Sequence, residues 1–127
     1  MTNEACSENK SLGERGEEIA VAYLKGQNFI IVERNFRCKA GEVDIVARDG
    51  KTLVFVEVKA RRSLSFGPPQ LAVTPFKQRQ ISKAALTWLA KNNLFGASAR
   101  FDVLAILLPD HEVPVIDHIR NAFDLAY

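Results

Sequence analysis

The stretch Glu42-Val43-Asp44-Ile45-Val46-Ala47-Arg48-Asp49-Gly50-Lys51-Thr52-Leu53-Val54-Phe55-Val56-Glu57-Val58-Lys59 reads as two apolar strands, Glu42 to Ala47 and Thr52 to Lys59, joined at Asp49-Gly50. Asp-Gly between alternating apolar runs is a strong hairpin signal. A two-residue Asp49-Gly50 loop places Arg48 opposite Lys51, Val46 opposite Leu53, Asp44 opposite Phe55 and Glu42 opposite Glu57. Side chains alternate along a strand, so Glu42, Asp44, Phe55, Glu57 and Lys59 share one face. The other face, Val43, Ile45, Ala47, Val54, Val56 and Val58, is wholly apolar, which supports the register independently.

On the N-terminal side, Ser11-Leu12-Gly13-Glu14 reads as a capping box opening a helix to about Gly26. Leu12, Gly16, Ile19, Ala20, Tyr23 and Leu24 form its buried stripe. Glu17 flanks that stripe, in line with Gly13, Ala20 and Leu24. Phe29 to Val32 is a first strand, followed by a basic connection through Arg34, Arg37 and Lys39 to Ala40-Gly41. On the C-terminal side, Gly67, Pro68 and Pro69 place a loop over Ser63 to Gln70. Thr74 as N-cap and Pro75 at the first helical position start a second helix. It runs to about Asn93 and buries Ile81, Ala84, Ala85, Trp88 and Leu89. Phe101 to Leu108 is a fourth strand, apolar enough to be central. Val113 to Ile116 forms a fifth, and a short helical tail covers Ala122 to Tyr127. The order α-β-β-β-α-β implies an α/β fold with a mixed sheet flanked by helices.

Length and composition bound the rest. A chain of 127 residues, 47% hydrophobic and 25% charged, suits one domain. We read residues 1–10 as a polar, flexible tail and 11–127 as a single domain. No apolar run approaches the roughly 20 residues of a transmembrane helix, and the N-terminus has no secretory apolar core. Cys6 and Cys38 are isolated, with no C-x-x-C, so neither zinc nor an oxidising compartment is indicated and a cytoplasmic location is expected. Net charge is only +2, but its distribution is uneven. Val58 to Phe101 contains no Asp or Glu, yet holds Lys59, Arg61, Arg62, Lys77, Arg79, Lys83, Lys91 and Arg100. That is either a phosphate-binding face or a solvated helix face.

The carboxylates carry the chemistry. In this register Asp44 and Glu57 are diagonal neighbours, about 7–8 Å apart at the backbone, near enough to converge on one ion. Carboxylates gathered on an inner hairpin need a cation, a proton or paired donors. Mg²⁺ favours oxygen ligands and keeps waters for a substrate. Lys59, two residues on, reaches the same spot, where an ammonium orients a water or offsets charge on a phosphate. The plainer alternative is a solvent-facing strand with a Glu57–Lys59 pair.

Glu42-Val43-Asp44 followed, across the turn, by Glu57-Val58-Lys59 resembles the PD-(D/E)xK nuclease signature, and the element order is similar to the restriction-endonuclease-like core. More narrowly, the chain resembles the YraN-like bacterial family, related to Holliday junction resolvases. The similarity rests on Gly13 to Ala20, Gly41 to Asp44, Val54 to Lys59, Ala72-Val73 before Lys77, Arg100-Phe101-Asp102-Val103 and Asn121-Ala122-Phe123. Val43 stands where the signature has proline. The resemblance implies that Asp44 and Glu57 ligate Mg²⁺, with Mn²⁺ as a substitute and the Val58 carbonyl as a third ligand. Lys59 then positions or activates the attacking water. Glu17 matches the helix glutamate of the resolvases and completes the site, unless it is an exposed helix carboxylate. Gln70 falls where some relatives carry a polar site residue, and Glu42 is a further neighbour.

Two function classes follow. One is a Mg²⁺-dependent nuclease acting on DNA, including branched or junction DNA, with Arg61, Arg62, Lys77, Arg79 and Lys83 gripping the backbone. The other is a nucleic-acid-binding module in a repair or recombination assembly that binds without cutting. Resolvase relatives act as dimers, so a homodimer is open. His111 and His118 read as ordinary surface or strand histidines, and Trp88 as core.

Overall fold

The computed structural model describes residues 11–63 and 73–125. The N-terminal tail, Cys6, Gln70, most of the Ser63 to Gln70 loop and the last two residues lie outside them. Helix α1 (Leu12–Gly26) and helix α2 (Pro75–Lys91) flank a sheet of β1 (Ile30–Cys38), β2 (Gly41–Asp49), β3 (Thr52–Arg61), β4 (Ala99–Leu107) and β5 (Val115–Phe123). Spatial order follows sequence order. Neighbouring strands run antiparallel except β3 and β4. The parallel pair needs a crossover, and α2 supplies it. This is an α/β fold of order α-β-β-β-α-β with a mixed sheet.

Both helices start where the sequence signals them. The Ser11 hydroxyl accepts the Glu14 N–H at 3.1 Å, while Glu14 Oε1 accepts the Ser11 N–H at 3.2 Å. Thr74 caps α2 by accepting the Lys77 N–H at 3.3 Å. The five apolar α2 residues expected in the core are buried there. With Phe36, Val43, Val46, Leu53, Phe55, Phe101 and Val103 they form one half of the core. Ala20, Val21, Leu24 and Phe29 pack with Ile45, Ala47, Val54, Val56, Leu104 and Ile106 on the opposite face. Among the described residues, no helix is long and apolar enough to cross a membrane.

Four expectations are corrected. The hairpin closes on Asp49↔Thr52, with Arg48↔Leu53 and Val46↔Phe55 behind it. The loop is therefore Gly50-Lys51, not Asp49-Gly50. Gly50 has φ +62° and Lys51 does not share the left-handed region, so this is the type II′ pattern with glycine first, rather than type I′ with Asp first. The change preserves which residues share a face, but continued one step it sets Asp44 directly across from Glu57 instead of diagonally.

Second, Val43 packs on the α2 side, with Phe36, rather than beside Ile45 on the α1 side. Arg34↔Ile45 and Phe36↔Val43 bracket Asn35, which has φ +54°. Strict alternation breaks there, and Asp44 lies opposite the break. Third, β1 continues through the basic segment to Cys38, because Phe36 pairs with Val43 and reaches the core. Polar neighbours hide that single buried anchor. Fourth, Ala122 and Phe123 belong to β5, not to a helical tail. Phe123 pairs with Phe101 at a ring separation of 4.8 Å, and β5 covers what would otherwise be an open β4 edge.

The contact between α1 and β3 depends on a missing side chain. A Cβ at Gly16 would stand 2.7 Å from the Ala60 Cβ. Gly16→Ala gains roughly 1 kcal/mol of helix propensity but incurs an overpacking cost of about 1–3 kcal/mol. We expect a net loss of about 1 kcal/mol in chemical denaturation. Pairing it with Ala60→Gly should give a favourable coupling energy in the double-mutant cycle. Equal destabilisation with and without Ala60→Gly would refute the contact.

Candidate metal and nucleic-acid site

Asp44 comes from β2, opposite Asn35 of β1, and Glu57 and Lys59 from consecutive same-face positions of β3. One carboxylate oxygen of Asp44 accepts the Val58 N–H at 2.8 Å, which anchors the side chain against β3 where the ladder pairing ends. Burial pushes the Asp44 carboxyl up from 3.8 to about 7, and the Glu57 charge and a carboxyl–carboxyl hydrogen bond add to the rise. Glu57 is itself buried. Its Oε2 lies 3.5 Å from Lys59 Nζ and 3.7 Å from Lys77 Nζ. Burial holds the Lys59 ammonium below the usual lysine range against the pull of Glu57, and the Lys77 charge depresses it further. Glu57 thus stands between Asp44, with which it shares a hydrogen bond, and Lys59.

The other candidates divide. Glu17 reaches the cavity that Asp44 lines, but it accepts from Asn35 Nδ2 at 2.8 Å and from Arg34 Nη2 at 3.3 Å. Glu42 is exposed and pairs with Arg37 at 3.0 Å. Among the basic residues, Lys77 joins the carboxylates. Arg62 is engaged by Asp110 at 3.1 Å. Arg61 ends β3, its carbonyl accepting the Leu108 N–H at 2.7 Å. Arg79 and Lys83 are exposed on α2. Among the described residues, no three His, Cys, Asp or Glu side chains converge as a ready metal cage. Two adjacent carboxyls, one of them raised by burial and by its neighbour, are nevertheless a donor set that fits Mg²⁺, which is commonly bound through one or two carboxylates with waters and substrate phosphates completing the shell.

Two cavities open on either side of the pair. One, of about 510 Å³, lies towards α1 and is lined by Glu14, Glu17, Glu18, Arg34 and Asp44 among others. The second, of about 340 Å³, lies towards α2 and is lined by Arg37, Glu42, Glu57, Lys77 and Gln80 with smaller apolar groups.

One polar constellation escaped the sequence reading. Asp102 on β4 is fully buried. It accepts from Arg100 Nε at 2.9 Å and the Asn121 N–H at 3.0 Å, and lies 2.8 Å from His118 Nε2. His118 Nδ1 is 3.1 Å from the Tyr23 hydroxyl. The tautomer that donates from Nε2 to Asp102 accepts from Tyr23 at Nδ1. Burial pushes Asp102 up, but its Arg100, Asn121 and His118 donors outweigh that and hold it below the usual carboxylate range. His118 is therefore a strand histidine whose ring links α1, β4 and β5 through Tyr23 and Asp102. The available signal was an Asp inside an apolar strand, since a buried charge must find partners.

The family model described as "Uncharacterised protein family UPF0102" matches residues 16–106. The chain is 71% identical to a UPF0102 protein of Geotalea uraniireducens over the whole of both chains. It is 62% identical to one of Geobacter sulfurreducens over 98% of this chain and 97% of that one. Identity to a UPF0102 protein of Nocardia farcinica is 45% over 91% of each. The matched span runs from the close-packed Gly16 through both carboxylates to near the end of β4, and the chain belongs to the UPF0102 family.

Proposed function

We propose that this protein is a Mg²⁺-dependent nuclease of the PD-(D/E)xK type, related to the Holliday junction resolvases, that hydrolyses phosphodiester bonds in DNA. The observation that carries the reading is the close pair of half-buried Asp44 and buried Glu57, whose carboxyls are eased by a cation or a proton between them, with Lys59 two residues beyond. Structural hairpins have no use for that arrangement, because it costs stability when unoccupied by either.

In this reading Asp44, Glu57 and the Val58 carbonyl hold the ion. Bound there, Mg²⁺ supplies positive charge to phosphate oxygens and makes a coordinated water more acidic. The chain does the rest. The Val58 N–H fixes the orientation of Asp44. Lys59, shielded from solvent, holds the attacking water by a hydrogen bond and offsets charge developing on the phosphate. Glu17, braced by Arg34 and Asn35, faces the same cavity as Asp44 and orients solvent there. Val43 in place of the signature's proline alters none of these contacts, since it points into the α2-side core.

The test is a cleavage panel of duplex, junction, flap and single-stranded DNA with Mg²⁺ or Mn²⁺. We expect cutting of at least one substrate, reduced about 10²-fold or more by Glu57→Ala. No cutting of any of them overturns the nuclease reading. Salt-dependent binding that survives Asp44→Ala would then favour a non-cleaving nucleic-acid-binding module, the role to which the acid-free run from Val58 to Phe101 is also suited.

A further inference from the structure

The two cavities beside the carboxylate pair differ in charge, and that difference has a direction. Glu14, Glu17 and Glu18 border the α1-side cavity, where a polyanion is repelled. Arg37 and Lys77 border the α2-side cavity together with Glu42 and Glu57, so its charged lining balances and opposes a phosphate less than the acidic α1-side cavity does. Arg37 is held by Glu42 at 3.0 Å. Lys77 is held only by Glu57 among the ion pairs of the described residues, and by the same oxygen that Lys59 contacts.

That shared oxygen makes Glu57 an exchange point. Two ammonium groups and a divalent cation crowded on one carboxylate repel one another strongly in a partly desolvated site. Lys59 is confined: it sits on the same strand and its side chain is 19% exposed. Lys77 projects from the first turn of α2, its side chain is 43% exposed, and four rotatable bonds let it swing into the cavity that it lines.

Resting on the nuclease reading above, we infer that Lys77 couples cation binding to nucleic-acid binding: it is tied to Glu57 without a divalent cation, and when one occupies Glu57 it turns to a non-bridging oxygen of the nucleic-acid backbone. The substrate backbone accordingly approaches over the α2-side cavity. Coupling of this kind is reciprocal, so nucleic acid tightens the cation by the same factor that the cation tightens nucleic acid. Lys77 is a positioning residue, distinct from Lys59 at the water.

The experiment measures the affinity of a fluorescent DNA oligonucleotide of a form that the wild type cleaves with Mg²⁺. It compares EDTA with Ca²⁺, a hard oxygen-seeking cation chosen to separate binding from turnover, for wild type, Lys77→Met and Lys77→Arg. Wild type should bind about 10-fold more tightly with Ca²⁺, and the slope of log affinity against log salt should steepen by about one phosphate contact. Lys77→Met should match wild type within about 2-fold in EDTA, because Lys77 is then occupied with Glu57, and should lose the Ca²⁺-dependent gain and the extra slope. Lys77→Arg should keep part of both. Calorimetric Ca²⁺ titration without DNA should show Lys77→Met binding the cation at least as tightly as wild type.

An undiminished Ca²⁺-dependent gain in Lys77→Met overturns the inference while leaving the nuclease reading intact. An equal loss in EDTA and Ca²⁺ also overturns it, since a plain backbone contact needs no exchange. If wild type binds no divalent cation and cuts nothing, the inference and the nuclease reading fall together, and the calorimetric and cleavage measurements separate that outcome from the other two.

Discussion

Asp44→Asn is expected to raise the melting temperature of the protein without divalent cation at pH 8, while abolishing cation-dependent stabilisation and cleavage. A carboxyl whose folded pKa is raised favours the fold while protonated. Its contribution is fully present below the unfolded value of 3.8, erodes as pH rises, and is gone above about 7. At pH 8 the wild type therefore carries the cost of a half-buried carboxylate beside Glu57. Discounted for the partial exposure of Asp44, that cost is about 2 kcal/mol, or about 5–10 °C for a chain of this size. Asparagine retains an oxygen to accept the Val58 N–H and removes the charge.

Mg²⁺ should offset the same cost in wild type, by roughly 2–3 kcal/mol at a concentration about a hundred times its dissociation constant. The gain should shrink between pH 8 and pH 5 as protons compete for Asp44, and should be absent from the variant. Cleavage, where wild type shows it, should fall about 10³-fold. Thermal melts at pH 5 and pH 8, with EDTA or Mg²⁺, check all of these. A variant less stable than wild type at pH 8 in EDTA would show that the carboxyls are not in conflict, and would remove the main support for a cation between them.

Asp102→Ala should be among the most destabilising single substitutions in the protein. It strips Arg100, His118 and the Asn121 N–H of a shared acceptor. Removing one partner from a buried charged network costs about 3–5 kcal/mol, a large fraction of the 5–15 kcal/mol typical of a domain. Asp102→Asn should cost less, since it keeps one oxygen acceptor. The pH dependence has the opposite sense to that of Asp44. A carboxyl held below its unfolded value contributes stability above 3.8 that is lost as pH falls through its folded value. The difference between wild type and Asp102→Asn should therefore narrow in acid, below about pH 4. Urea denaturation at pH 7 and pH 3 measures it, and a constant gap would argue that His118 and Arg100 do not depend on the Asp102 charge. Cleavage is not expected to change for the fraction that remains folded.

Local chemistry carried most of the architecture. Ser11 with Glu14, and Thr74 with Pro75, announce helix starts because capping is settled within four residues. The alternation through Val54, Phe55, Val56 and Glu57 announces a half-polar strand because side chains of a strand must alternate. Those features, and the spacing of Asp44, Glu57 and Lys59 around a turn, were sufficient to bring Asp44 and Lys59 to Glu57. They were insufficient to set the exact pairing, since Asp-Gly suits one turn type and Gly50-Lys51 another, and only the fit of both strands to their neighbours selects between them.

What lay beyond the chain's local pattern shares one cause: each case depends on a partner distant in sequence. Phe36 and Val43 are buried in the half of the core that α2 completes with Ile81 and Trp88. Phe123 is in a strand because β4 offers it an edge. Asp102 is tolerated because Arg100 is joined by His118 and Asn121 from the next strand, and Lys77 matters because folding carries the start of α2 to Glu57. The three residues of the candidate centre were legible in the hairpin, where alternation and a short turn govern position. Their surroundings, an acidic cavity on one side, a lysine-bearing cavity on the other, and a carboxyl raised to about 7, arise only when two helices close over opposite faces of the sheet and exclude water.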